Sequence, residues 1–118
     1  MANNRVGDLM IKNLLCKSAV IGEIFIADSF MKRFLGYMLQ KEPHYESILF
    51  KPCNSIHTFF MKFPIDVLFI NENMEVCKKI DCLCPGKIIM PVKEAVMVIE
   101  GKGGMFKNIS EGDKITVV

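Results

Sequence analysis

Apolar residues in this chain fall into short runs broken by Gly, Pro, Asn and Asp, with one stretch at helical spacing. Leu9 to Cys16 and Ile21 to Ala27 are apolar segments separated by Lys17-Ser18, which predicts a pair of strands or an edge hairpin. Asp28-Ser29 then offers a helix N-cap, and Phe30, Met31, Phe34, Leu35, Met38 and Leu39 share one side of an amphipathic helix that Pro43 stops. Gly36 in its interior costs roughly 1 kcal/mol relative to Ala, so close approach of another backbone is expected there.

Beyond Pro43 the pattern is β to the end. Ser47 to Phe50 predicts a short strand, Lys51-Pro52-Cys53-Asn54 a turn, and Ser55 to Met61 a longer strand. Pro64 permits a bend, Ile65 to Ile70 is almost wholly apolar, and Asn71-Glu72-Asn73 turns the chain into a strand from Val76 to Cys82. After Cys84-Pro85-Gly86, strands are expected over Ile88 to Val92, Ala95 to Glu100 and Lys114 to Val118. Many short strands with Gly and Pro punctuation predict a mainly β fold (α+β with one short helix), a small antiparallel β-barrel or clam-like domain. Gly101-Lys102-Gly103-Gly104 reads as a tight loop and lacks the spacing of a phosphate cradle.

At 118 residues the chain is expected to form a single domain, with 1–8 as a flexible N-terminal segment. Half of it is hydrophobic, and nine Met and nine Phe without Trp imply a core of adaptable and aromatic side chains. Lys+Arg 15 against Asp+Glu 13 are scattered along the sequence, which gives no footprint for nucleic acid. No apolar run approaches the roughly 18 residues of a membrane span, and no signal-peptide core is visible. Five cysteines at 16, 53, 77, 82 and 84 form no paired framework and fit reduced thiols. A cytoplasmic protein without membrane contact is therefore expected.

The stretch from His57 to Ile70 carries polar groups where a plain core would have none. Strand parity would place His57, Phe59 and Met61 on one face and Thr58 and Phe60 on the other. His57 admits two readings, a ligand-binding or proton-moving group or a histidine hydrogen-bonded to backbone. Asp66 would share a face with Leu68 and Ile70 and needs backbone donors or a cation, with Arg33 on the polar side of the helix as a candidate partner. Such a pair could be structural or ligand-facing. The C-x4-C-x-C run from Cys77 to Cys84 lacks zinc-knuckle spacing, so buried or incidental thiols are expected and no metal or cofactor. A Cys53/His57 nucleophile pair would want a third orienting group that is not evident. Glu100 reads as a strand-end carboxylate facing solvent or a turn amide.

Arg33-Phe34-Leu35-Gly36-Tyr37-Met38 resembles an R-x-x-G-L-M element, and Ser47-Ile48-Leu49-Phe50 resembles G-M-L-F. His57-Thr58-Phe59-Phe60-Met61 followed by Ile65-Asp66-Val67-Leu68-Phe69-Ile70, then Val98-Ile99-Glu100-Gly101 and Ile109 to Asp113, complete an ordered set that resembles the DUF192 family, also called UPF0127. Tyr37 stands for a usual Leu, Ser47 for a usual Gly, and the cysteines lie outside the pattern. The resemblance implies a compact, mainly β domain of barrel or clam type with one short helix and no established activity. It marks Arg33, Gly36, Met38, His57, Phe60, Met61, Asp66 and Glu100 without fixing their roles.

The expected function is that of a non-enzymatic binding domain with a cleft between the helix and the 57–70 strands. Arg33, His57 and Asp66 would supply polar contacts and Phe60 and Met61 apolar ones, to a small polar molecule, a sugar or a peptide. The alternatives are a small hydrolase or lyase with His57 as general base beside Asp66, or a purely structural interaction module.

Overall fold

The computed structural model describes residues 5–6, 9–27, 42–43 and 45–118. Ten strands fall within them: β1 (Arg5–Val6), β2 (Leu9–Cys16), β3 (Ala19–Ala27), β4 (Ser47–Phe50), β5 (Ile56–His57), β6 (Ile65–Ile70), β7 (Val76–Leu83), β8 (Ile88–Ile89), β9 (Met97–Lys102) and β10 (Ile115–Val117). The expected helix, with Arg33, Gly36 and Met38 on it, lies outside the described residues.

Eight strands form one curled half-barrel sheet in the order β1-β2-β3-β4-β9-β6-β7, with β10 also on β2. The expectation of an antiparallel sheet holds for every pair except β3 and β4, which run parallel with Phe25 opposite Ile48. A parallel pair needs a crossover rather than a hairpin, and the 28–46 connection is long enough to provide one. The β2–β3 hairpin is tight because Lys17 and Ser18 both take positive φ, 53° and 66°, the geometry that matches the twist of flanking strands. At the C-terminus the chain links the sheet's two ends. Glu75 bridges Lys114, and the amides of Gly112 and Ile115 donate to the carbonyls of Val76 and Met74 before β10 joins β2.

Both sheet faces are buried, which is why the central strands read as unbroken apolar runs rather than alternating ones. Leu49, Leu68, Ile70 and Ile99 face one cluster, closed by Phe106, Ile109 and Ile115. Ile48, Phe50, Val67, Phe69 and Val98 face the other, together with Phe25, Met61 and Leu83. Every residue of β4 and of β6 is buried, Ser47 and Asp66 included. At β9, Gly101 has no side chain because a Cβ there would lie 2.5 Å from Cζ of Phe106.

The long strand expected over 55–61 is not formed. Its first part pairs as β5 with β8 in a separate two-stranded sheet, Ile56 opposite Ile89 and His57 opposite Ile88. A turn at Phe59 and Phe60 then ends it, with Phe60 at φ 66°.

Candidate functional site

The β5–β8 lobe is held together by Thr58, a residue the sequence pattern assigned only to a strand face. Its side chain is fully buried. Its hydroxyl donates to the Cys84 carbonyl at 2.8 Å and accepts the Lys87 amide at 2.8 Å. Its own amide donates to the Lys87 carbonyl, and its carbonyl accepts the amides of Gly86 and Met61. One residue thereby satisfies the backbone of two facing turns, which fixes them against each other. A further link, from the Val92 amide to the Asn54 carbonyl at 2.8 Å, ties the opposite end of the lobe.

Between these links lies an open pocket of about 280 Å³. Ser55, Ile56, His57 and Phe59 line one side, and Ile88, Ile89, Met90 and Pro91 the other. His57 is exposed; its Nδ1 accepts the Phe59 amide at 3.2 Å, and its ring stacks on that of Phe59 with centroids 5.1 Å apart. Of the lining residues Met90 is 72% and Ile88 58% exposed, and Phe60, on the turn that ends the segment, is 68% exposed. Water contact of so much apolar surface in two short segments is unfavourable unless something covers it.

The face alternation expected for 57–61 fails because the strand stops at His57. Met61 is buried in the core beside Phe50 and Val67 rather than sharing a face with His57. Asp66 is buried as well, and its donors are backbone amides. Oδ1 accepts the Cys82 amide and Oδ2 the Gly104 amide, each at 2.8 Å. This carboxylate sits where the β6–β7 register shifts, between Ile65 and Val67, and ties that irregularity to the turn after β9. Among the described residues no hydrogen bond joins His57 to Asp66, and Arg33 lies outside them. Of the five expected site residues, the structure brings His57 and Phe60 to the lobe and sets Met61 and Asp66 in the interior.

Glu100 overturns the expectation of a solvent-facing or turn-bound acid. It is 4% exposed, because β9 is a central strand, and it stands opposite Ile48 of β4 and Val67 of β6. Among the described residues its Oε1 has no hydrogen-bond partner. Burial, which disfavours the charged form, raises its pKa from 4.5 to about 8. An acid ending an otherwise apolar run, Val98-Ile99-Glu100, was the available signal. The thiols of Cys53 and Cys77 donate to the carbonyls of Ser55 and Phe69, while Cys82 and Cys84 are exposed. No three metal-ligating side chains gather among the described residues.

The family model for DUF192, described as an uncharacterized ACR, matches residues 15–117. The chain belongs to the DUF192 family. The UPF0127 protein PH1112 of Pyrococcus horikoshii is 42% identical over 101 residues, covering 80% of this chain and 86% of that protein. The UPF0127 protein PF1050 of Pyrococcus furiosus is 37% identical over 100 residues, covering 79% and 84%. A crystal structure of a protein of unknown function from Novosphingobium aromaticivorans superposes with a TM-score of 0.75 at 18% identity, covering 98% of this chain and 91% of that one. The DUF192 fold is thus shared where sequence identity is low. No helix among the described residues is long and apolar enough to cross a membrane.

Proposed function

We propose that this DUF192 protein is a non-enzymatic binding domain whose ligand seat is the pocket between β5 and β8. The observation that carries the reading is that exposed Phe59, Ile88 and Met90 line a concave surface whose backbone is fixed by buried Thr58. A mostly apolar cavity with a few directed polar groups is the usual form of a small-ligand or peptide site, and a rigid backbone lowers the ordering cost of binding. His57 supplies the polar group and an aromatic face and Phe60 an apolar contact, while Met61 and Asp66 are buried and take no part in the seat. This reading puts the cleft between β5 and β8; the expected cleft between the helix and the 57–70 strands involves a helix outside the described residues.

A thermal-shift screen against sugars, polar metabolites and short peptides tests this, since a ligand that prefers the folded state raises the melting temperature. The expected hit loses its effect in His57→Ala and Met90→Ser. A hit that both variants retain in full places binding elsewhere.

A further inference from the structure

Four of the basic residues lie in the two segments that fold together as β5 and β8. The two segments that build the lobe, 51–63 and 84–93, contain Lys51, Lys62, Lys87 and Lys93 and no Asp or Glu. All four lysines are exposed. Since the whole chain has 15 basic and 13 acidic residues, the remainder carries 11 and 13, a net charge of −2 against +4 for the lobe. Large apolar side chains follow the same distribution. Of the six exposed among the described residues, Phe59, Phe60, Ile88 and Met90 fall in these two segments.

The charges also bracket the pocket. Lys62 and Lys87 lie at the end tied by Thr58, whose amide and hydroxyl bond to the backbone of Lys87. Lys51 and Lys93 lie toward the other end, near the Asn54–Val92 link, where the exposed acid Glu94 follows Lys93 in the same turn and leaves that end with two cations against one anion. An apolar seat with cations at both ends suits a linear ligand that is apolar in the middle and acidic on either side.

Resting on the binding reading above, we propose that the β5–β8 lobe binds an acidic peptide segment of a partner protein, with one aliphatic or aromatic side chain seated between His57–Phe59 and Ile88–Met90. A concave seat of about 280 Å³ favours a single inserted side chain. A bilayer would reward a convex apolar tip instead. The lysines contribute through charge complementarity, which speeds encounter and selects against basic partners.

The test is selection of a displayed random-peptide library on the protein, followed by fluorescence anisotropy of the enriched peptides. Enrichment of Asp and Glu on both sides of one Leu, Ile or aromatic residue is expected, with affinity falling steeply as salt rises. Lys62→Glu combined with Lys87→Glu should weaken those peptides about tenfold or more, and Met90→Ser by a similar factor. Phe60→Gly, which relieves a left-handed backbone while removing the exposed ring, serves as a variant expected to fold. Enriched peptides without acidic bias, or insensitive to the double lysine variant but lost in Met90→Ser, would overturn the acidic partner and leave the pocket reading standing. Binding of phosphatidylserine vesicles or single-stranded oligonucleotides in place of peptides overturns the proposal in favour of another anionic surface. If no peptide enriches and no small molecule shifts the melting temperature, both readings fall.

Discussion

The amide of Gly104 donates to Oδ2 of Asp66 at 2.8 Å, across the turn that follows β9. With the Cys82 amide on Oδ1, a single buried carboxylate fastens β6 to two irregular backbone segments, at Cys82 (φ 54°) and Gly104 (φ 86°). Charge-assisted bonds to a buried acceptor are stronger than neutral ones, and their loss strands both amides. Asp66→Ala should therefore destabilise the fold by about 3 kcal/mol. Asp66→Asn should cost less than Asp66→Ala, since its carbonyl keeps one of the two acceptors. Urea denaturation of the two variants measures this; wild-type stability in Asp66→Ala would refute the clamp.

Glu100 makes stability fall as pH rises. Its folded pKa of about 8 lies above its usual 4.5. Below pH 4.5 both states hold the proton and the neutral buried acid imposes no charge penalty. Between 4.5 and 8 the unfolded chain ionises while the folded one stays protonated, so stability declines by on the order of 1 kcal/mol per pH unit. Above 8 the decline levels off. Glu100→Gln should remove this slope, so the gap between variant and wild type should move in the variant's favour from pH 5 to pH 8 when both are unfolded in denaturant. Parallel pH profiles would show that Glu100 ionises normally in the folded protein.

Thr58 holds the lobe by its hydroxyl. Thr58→Val keeps the shape but leaves the Cys84 carbonyl and the Lys87 amide without their partner, at about 1–3 kcal/mol. Hydrogen exchange should quicken at the amides of Gly86 and Lys87 more than in β6. A uniform change across the protein would argue against a local hinge.

Gly101 and Phe106 share one space. Gly101→Ala should destabilise by about 1–3 kcal/mol through overpacking against the ring. Adding Phe106→Leu should recover part of that loss, so that the double variant is more stable than the sum of the single effects implies. Strict additivity in thermal unfolding would place the strain elsewhere.

The local pattern determined much of this protein. Period-two and continuous apolar runs located β2, β3, β4, β6, β7 and β9 closely, because side-chain alternation and turn residues act over a few positions. The ordered motifs, read together, also determined the family. Tertiary structure decided what those runs could not. Burial of both faces of β4, β6 and β9 depends on strand order, and that order placed Glu100 between Ile48 and Val67. The parallel β3–β4 pairing follows from where the chain re-enters the sheet, a non-local event. The fate of 55–61 depended on Thr58 reaching Cys84 and Lys87, partners 26 and 29 residues away. The two lysine-bearing segments of the lobe are distant in sequence and meet only once β5 pairs with β8, because charge adds up in space and not along the chain.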